Sequence, residues 1–173
     1  MKRYIGILLV LLLLVTGCTV TRQTLIRELQ SNPNSELASA AVEFFHNFTL
    51  LHDDIMDNAD VRRGKPSVAA EWGDNVAILS GDAMMIYSYR LLSQVPAHLL
   101  PRVMEIFTTT ALQVCEGQQY DMDFETRQKV SVVEYMNMIE LKTSVLLAGA
   151  AAIGAVLGGA SDADSRKICL LYT

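Results

Sequence analysis

The sequence has few of the residues that build disulfide, zinc or nucleic-acid sites. Its three cysteines lie far apart, at positions 18, 115 and 169, and form no Cys-x-x-Cys pair, which argues against a disulfide framework or a zinc site. Cys115 lies in an apolar stretch and is predicted to be a small core residue. The formal net charge is −5 and no basic run occurs, so we expect no nucleic-acid partner.

Strand signals are also missing. No segment alternates between apolar and polar residues between turn sequences, and the sequence has no internal repeat. Of the 173 residues, 51% are hydrophobic and 19% are charged, as in a packed globule with an added apolar segment. We predict an all-α fold, a bundle of mostly antiparallel helices. The helices are expected at 36–58, 73–92, 100–125 and 131–147, with a loop at 59–72 and a closely packed Ala/Gly-rich segment at 148–160.

The N-terminal region differs in character from the rest. Residues 1–20 have a basic start and an apolar run at 5–15 that suits an export signal better than a membrane span. The Val-Thr-Gly-Cys at 15–18 resembles the lipobox of bacterial lipoproteins, in which the cysteine is lipidated. An uncleaved membrane anchor is one alternative, and a start that does not belong to the rest is another. Residues 21–36 are predicted to be a polar linker.

The strongest chemical signal lies at residues 52–64. Asp53 and Asp57 are four residues apart and share one face of a helix, where two carboxylates repel each other unless a cation lies between them. Such oxygen ligands suit Mg²⁺, which is usually held by one or two carboxylates together with substrate phosphates. Arg62 and Arg63 follow, and the planar fork of arginine fits phosphate. A solvated charged helix end is the plainer interpretation.

Four motifs in order resemble those of the trans-isoprenyl diphosphate synthases, the polyprenyl synthetase family. They are Asp-Asp-x-x-Asp at 53–57 with Arg-Arg-Gly at 62–64, Gly-Asp-Ala at 81–83, Gly-Gln-Gln-Tyr-Asp at 117–121 and Lys-Thr at 142–143. The resemblance covers residues 37–167 and predicts a partial synthase domain at 37–173. It implies an isoprenoid-synthase-type helical bundle and a Mg²⁺-dependent prenyltransferase. The implied substrates are an allylic diphosphate and isopentenyl diphosphate.

The resemblance also implies roles for individual residues in binding metal, binding substrate and limiting product length. They are Asp53, Asp54 and Asp57 for the metal; His46, Arg62, Arg63 and Gln118 for the substrates; Lys142 and Thr143 for substrate binding and catalysis; and Phe48 for product length. Arg62 is expected on the allylic diphosphate, and Arg63 and His46 on isopentenyl diphosphate. Lys142 would contact the leaving diphosphate, and Thr143 would present oxygen to the developing cation. Phe48 would favour a medium-chain product, geranylgeranyl or farnesyl diphosphate.

Two motifs of the family do not occur in this sequence. The resemblance leads us to expect an isopentenyl-site motif before residue 37 and a second aspartate-rich motif towards the C-terminus, and neither is present. We therefore expect the N-terminal half to two-thirds of a synthase, a bundle incomplete at both ends. Family members are cytoplasmic and usually homodimers, and both properties are predicted here. The segment at 1–20, if genuine, would add a membrane anchor.

Two other functions fit part of the sequence. His46 with His52 and Asp53 resembles the pattern of HD-type metal phosphohydrolases, but that interpretation leaves the other motifs unexplained. The chain could also be a catalytically inactive helical lipoprotein or partner subunit that keeps a Mg²⁺–diphosphate half-site. Binding of Mg²⁺ and diphosphate without turnover would distinguish this alternative from an active enzyme.

Overall fold

The computed structural model describes residues 32–161, whose regular secondary structure is helical apart from two very short strands. The elements in order are α1 (Pro33–Met56), β1 (Val61–Arg62), β2 (Lys65–Pro66), α2 (Val68–Trp72), α3 (Asp74–Leu92), α4 (Leu100–Thr126), α5 (Val132–Ile139), a π-helical turn (Glu140–Ser144) and α6 (Val145–Leu157). The predicted all-α class is confirmed. The described residues form two compact units, one of residues 32–36 with 96–161 and one of residues 37–95.

Helix α1 begins earlier than the sequence predicts. The side-chain oxygen of Asn32 accepts a hydrogen bond from the N–H of Asn34 at 3.0 Å, and its carbonyl accepts from the N–H of Ser35 at 3.0 Å. Pro33 follows at the first helical position, where its missing N–H costs nothing. Asn32 therefore caps the helix, and its first turn includes Asn34 and Ser35, which belong to the segment predicted to be a linker.

In the unit of residues 37–95, α1 and α3 meet through a glycine. A Cβ built on Gly81 would lie 2.5 Å from Nε2 of His52 and 3.5 Å from Phe48. The ring of Phe44 also stacks on that of Tyr87, with the centroids 5.8 Å apart. Gly81 therefore allows the two helices to pack closely, because no larger residue fits there without moving His52.

The segment at 59–72, predicted to be a loop, contains a hairpin and a short helix. Val61 pairs with Pro66, and Arg62 with Lys65, in an antiparallel register. The two residues between the strands, Arg63 and Gly64, both have positive φ, 54° and 76°, as a two-residue type I′ turn requires. The turn separates Arg62 and Arg63, because one belongs to a strand and the other to the turn.

In the other unit, α4 packs against α6 through small residues. A Cβ on Gly149 would lie 2.8 Å from Cγ2 of Thr110, so the two backbones approach closely there. The predicted packing role of the Ala/Gly-rich segment is confirmed, since most of α6 is buried, including Ala148, Ala151 and Ile153. Cys115 on α4 is exposed, so its predicted core position is wrong, although partial burial still raises the pKa of its thiol.

The helix predicted to start near Ser131 does start there. Its hydroxyl accepts from the N–H of Glu134 at 3.2 Å, and the Glu134 carboxylate accepts from the N–H of Ser131 at 2.9 Å, which is a capping box. The hydrogen bond from the Ser131 N–H, together with those from Arg127 and the Ser131 hydroxyl, lowers the pKa of the Glu134 carboxyl to about 2. Among residues 32–161, the run Val132–Leu157 alone has the length and mean hydropathy (1.6) of a membrane span, a property that core helices of soluble proteins share.

Candidate active site

The aspartate-rich motif closes the C-terminal end of α1. Met56 is the last helical residue, and Asn58 follows in the left-handed conformation with φ 49°. The N–H of Asn58 donates to the carbonyl of Ile55 at 3.2 Å, and the N–H of Ala59 donates to the carbonyl of Asp54 at 2.8 Å. This is a Schellman ending, so the chain turns sharply directly after the motif and β1 returns towards it.

The position of the carboxylates makes a compensating cation necessary. The helix macrodipole is negative at a C-terminus, where carboxylates are unfavourable and cations favourable. Asp53 and Asp54 lie in the last turn of α1, which contains no basic residue, and Asp57 follows with its N–H donating to the carbonyl of Asp53 at 2.9 Å. The predicted shared position of Asp53 and Asp57, one turn apart, is therefore present.

Arg62 supplies that positive charge. Its Nε donates to Oδ1 of Asp54 at 2.7 Å, and its Nη2 lies 2.6 Å from the same oxygen and 3.0 Å from Oδ2 of Asp53. The Asp54 residue is only 5% exposed, and the hydrogen bond that it accepts is the largest cause of the raised pKa of Arg62. We call Asp53, Asp54 and Arg62 the Asp–Arg cluster. Here Arg62 binds the carboxylates that were predicted to bind metal.

His46 and Arg63 lie in the neighbourhood of this cluster. The pKa of His46 is lowered mainly by burial; Glu43 opposes this, and the positive charges of Arg63 and Arg62 add to it. These charges act on His46 only because the arginines are close. Three residues predicted to bind diphosphate, His46, Arg62 and Arg63, are thus electrostatically coupled within the unit of residues 37–95. A bound anion would offset the two arginine charges and favour the protonated form of His46.

The donor set fits magnesium in its chemistry, although the carboxylates are engaged by Arg62. Within residues 32–161, no group of three or more His, Cys, Asp or Glu side chains is arranged to hold a metal ion. Asp53 and Asp54 both bind Arg62, while Asp57 is exposed one turn further on. Three carboxylates at a helix C-terminus are a hard-oxygen donor set that suits Mg²⁺. Binding a metal there would require Arg62 to exchange partners.

Phe48 points into the interface with α3. Its ring makes an edge contact with His52 at 4.7 Å between centroids and lies 5.6 Å from the ring of Phe45. Phe48 and Gly81 are also close, so this aromatic cluster depends on the glycine. The role of Phe48 in product length stays a prediction.

Lys142 and Thr143 lie in the other unit, on the π-helical turn that interrupts the helix predicted from 131 to 147. The Nζ of Lys142 lies 2.5 Å from Oδ2 of Asp121 on α4. Thr143 is exposed. A π-helical turn inserts one residue into a helix and is frequently found at functional sites. We call Lys142 with Asp121 the Lys–Asp pair.

Gln118 lies on α4 next to this pair. Its Nε2 is buried, and no partner lies within hydrogen-bonding distance among the described residues. A buried donor without a partner costs free energy, and an oxygen of a bound anion would satisfy it. This supports the predicted substrate-binding role of Gln118 and fits a diphosphate oxygen near the Lys–Asp pair.

Two residues that were not predicted individually gain importance from their contacts. Asp121 is the direct partner of Lys142. Gly117 lies directly beneath the backbone of Lys142. Both belong to the Gly-Gln-Gln-Tyr-Asp motif at 117–121, and their spacing of one helical turn was the available signal.

The described residues place an acid-rich helix end against an arginine on a helical scaffold. The polyprenyl synthetase family model matches residues 7–172. The chain belongs to the polyprenyl synthetase family. The match begins inside the apolar segment predicted to be an export signal; that segment and the predicted lipobox lie outside the described residues.

Relatives and solved structures agree with this assignment. The chain is 54% identical over 136 residues to a geranylgeranyl diphosphate synthase of Methanosarcina mazei, covering 76% of this chain and 42% of that relative. A crystal structure of a geranylgeranyl pyrophosphate synthase matches with a TM-score of 0.78 and 51% identity, covering 80% of this chain and 42% of that one. A geranylgeranyl pyrophosphate synthetase from the archaeon Geoglobus acetivorans matches with a TM-score of 0.75 and 37% identity, covering 79% and 45%. The chain thus spans less than half the length of these relatives.

Proposed function

We propose that this protein is a prenyltransferase that joins an allylic diphosphate to isopentenyl diphosphate and releases a longer prenyl diphosphate with inorganic diphosphate. The observation that carries the proposal is the Asp–Arg cluster, in which acidic residues at a helix C-terminus are held by an arginine. In the reaction, the bond between the allylic carbon and the diphosphate oxygen breaks, a carbon–carbon bond forms to the alkene, and a proton is lost.

Asp53 and Asp57 would hold Mg²⁺, with Asp54 supporting them. When bound, magnesium supplies positive charge that neutralises the leaving diphosphate. Arg62 would exchange its carboxylate partners for the allylic diphosphate, to which its fork can donate two hydrogen bonds. Burial is the main cause of the lowered pKa of His46, and the charges of Arg63 and Arg62 add to it. These two positive charges would favour a second diphosphate, that of isopentenyl diphosphate.

Lys142, Thr143 and Gln118 would act on the leaving diphosphate and the reacting carbon. Lys142 brings a positive charge, and Gln118 brings a buried donor that needs an acceptor. Such preorganised donors stabilise charge that develops in the transition state. The exposed hydroxyl of Thr143 would present oxygen to the developing cation.

The product we propose is geranylgeranyl diphosphate, with farnesyl diphosphate as the neighbouring length. Several relatives are geranylgeranyl diphosphate synthases, among them that of Methanosarcina mazei, and this supports the proposal. Phe48 would limit the hydrophobic pocket, held by its contacts with His52 and Phe45. Replacing Phe48 by alanine should lengthen the product, and an unchanged chain length would remove Phe48 from this role.

We also propose that the protein acts as a homodimer in the cytoplasm. An apolar stripe on α3 supports self-association, because Leu79 (69% exposed) and Ile86 (65% exposed) lie two turns apart on one face. An anchor through residues 1–20 stays a prediction.

The test is a prenyl-transfer assay on the chain with Mg²⁺, labelled isopentenyl diphosphate and a set of allylic primers. We expect labelled geranylgeranyl diphosphate, lost on addition of a chelator and in the Asp53→Ala variant. The matched control is Asp123→Asn, which changes an exposed aspartate that only bonds to Gln119 and should leave the product unchanged. No product with any primer would reject the proposal for this chain, and Mg²⁺-dependent diphosphate binding without turnover would then favour the inactive half-site.

A further inference from the structure

Gly117 on α4 lies against the backbone of the π-helical turn. A Cβ built on Gly117 would lie 2.6 Å from the carbonyl carbon of Leu141 and 2.7 Å from Cα of Lys142, and it would also collide with the N–H of Lys142. Contacts below 3.0 Å essentially never occur for real Cβ atoms. Since the obstructing atoms belong to a backbone, no rotation of a side chain would relieve the collision.

The same contact determines where the side chain of Lys142 can reach. With its backbone seated over Gly117, Lys142 extends one turn along α4, and its ammonium meets the Asp121 carboxylate at 2.5 Å. Gly117 and Asp121 are four residues apart and therefore lie on one face of α4. A shift of the turn away from residue 117 would carry the ammonium away from residue 121.

We propose that Gly117 is a positioning residue for Lys142: its missing side chain allows the π-helical turn to seat on α4, which directs the Lys142 ammonium to Asp121 beside the unpaired amide of Gln118. The inference rests on the proposed function in one respect, namely that the Lys142 ammonium binds diphosphate. It assigns Gly117 no contact with substrate. The glycine acts through the backbone of its neighbour.

The chain contains a matched pair of variants for the test. Gly117→Ala adds one methyl group against the turn, whereas Gly154→Ala adds the same group on α6, where no atom of residues 32–161 lies within 4 Å. A third variant, Asp121→Asn, removes the partner charge without adding an atom. Helical circular dichroism of all three checks folding before any comparison is made.

The readout is the side-chain signal of Lys142 in NMR spectra of chain labelled with ¹⁵N only at lysine. The sequence has five lysines, so the spectrum is simple, and Lys142→Arg assigns the signal by its loss. In the wild type and in Gly154→Ala, we expect the chemical shift of the Lys142 side chain to differ from those of the other lysines. In Gly117→Ala and Asp121→Asn, we expect it to move to the chemical shift of a solvent-exposed lysine. In Gly117→Ala, the affinity for inorganic diphosphate with Mg²⁺ should fall about tenfold, as when a supporting partner of a ligand is lost.

An unchanged Lys142 signal and unchanged diphosphate affinity in folded Gly117→Ala would overturn the inference. A Gly117→Ala chain that loses its helical signal would also overturn it, because the glycine would then serve folding. An unmoved signal in Asp121→Asn would do the same, since the pair would not fix the ammonium. If instead the signal moves as expected but the wild type forms no prenyl product, the positioning stands and the proposed function fails.

Discussion

The Asp–Arg cluster and the Lys–Asp pair hold opposite charges together by different means. In the cluster, one guanidinium binds two carboxylates that lie eight and nine residues away along the chain, through side-chain hydrogen bonds across a Schellman turn and a hairpin. In the pair, the lysine and the aspartate are 21 residues apart and meet because two helices pack through a glycine. The first arrangement depends on local sequence, and the second depends on the packing of distant backbone.

Burial separates the two arrangements as well. The Asp54 side chain is 6% exposed and that of Arg62 is 33% exposed, whereas those of Lys142 and Asp121 are 26% and 34% exposed. A charge left alone at a buried position is costly, whereas water compensates a charge left alone at a half-exposed position. The comparison predicts that breaking the cluster harms stability more than breaking the pair.

The largest effect should come from Arg62→Ala, which leaves the buried Asp54 carboxylate without its cation. Breaking a fully buried pair costs about 3–5 kcal/mol, and the partial exposure of Arg62 reduces our expectation to about 2 kcal/mol. Urea unfolding would measure the loss, and Mg²⁺ should restore part of it. Arg63→Ala is the control, because loss of its exposed side chain should change the free energy of unfolding by less than about 0.5 kcal/mol. Equal losses in the two variants would contradict the role of Arg62 as the cation of the cluster.

The next effect should come from Gly81→Ala. Side-chain atoms face Gly81, whereas backbone atoms face Gly117, so the two substitutions test whether side chains tolerate an added methyl group better than backbone does. The new methyl group would meet only the His52 ring and the edge of Phe48, and both can rotate, so we expect a loss of about 1 kcal/mol, the low end for overpacking. The loss should be smaller than that of Gly117→Ala in parallel thermal unfolding. Gly154→Ala, in open space, should gain about 0.5–1 kcal/mol. A larger loss at residue 81 than at residue 117 would reverse the comparison.

Asp121→Asn should have a smaller effect on stability. The ion pair that it breaks is partly exposed on both sides, and such pairs contribute about 0.2–1 kcal/mol. Without added salt, chemical denaturation should show that the variant is slightly less stable than the wild type. In 1 M salt this difference should largely disappear, because the salt screens the ion pair of the wild type. A loss as large as that of Arg62→Ala would mean that Lys142 is more deeply desolvated than its exposure indicates.

The smallest effect should be a pH dependence carried by His46. Its folded pKa is lowered from 6.5, so the neutral ring stabilises the fold above about pH 6.5, and this contribution is lost as the pH falls through the folded pKa. A bound diphosphate would raise that pKa, so binding should take up a fraction of a proton and strengthen between about pH 7 and 6. Calorimetry in two buffers would measure the uptake.

The matched controls for this pH dependence are His46→Gln and His98→Gln. Diphosphate itself takes up protons in this range, so the informative quantity is the difference between the wild type and His46→Gln. The exposed His98 belongs to the other unit, and its replacement should leave the uptake unchanged. Equal uptake in the wild type and His46→Gln would remove His46 from the anion site.

The features that the sequence predicted well are those set by local spacing. The one-turn spacing of Asp53 and Asp57 and the start of α5 at Ser131 both follow from residues within a few turns. The hairpin at Arg63 and Gly64 was missed because two-residue strands are too short for alternation to appear. The positive φ values of these two residues follow from closure of the hairpin. An arginine in the sequence does not indicate such a conformation.

The π-helical turn could not be predicted from its own residues. Nothing in Glu140–Ser144 distinguishes it from an ordinary helix, because its reason lies at Gly117, more than twenty residues earlier. The exposure of Cys115 has a similar origin: the helical pattern of α4 is clear, but which of its faces is covered depends on α5 and α6. Partners distant in sequence therefore account for most of what was missed.

The Schellman ending of α1 and the hairpin have a consequence for the order in which the site forms. Closing a loop of about ten residues takes on the order of 10–100 ns, and a hairpin forms within about 1–10 μs. Contacts between distant helices form more slowly, because the chain loses more conformational entropy before those contacts stabilise it. The carboxylates and Arg62 need only the segment at 53–66 to meet. During synthesis, Asp53, Asp54 and Arg62 can therefore come together while Lys142 is still untranslated, so the cluster needs no part of the other unit in order to form.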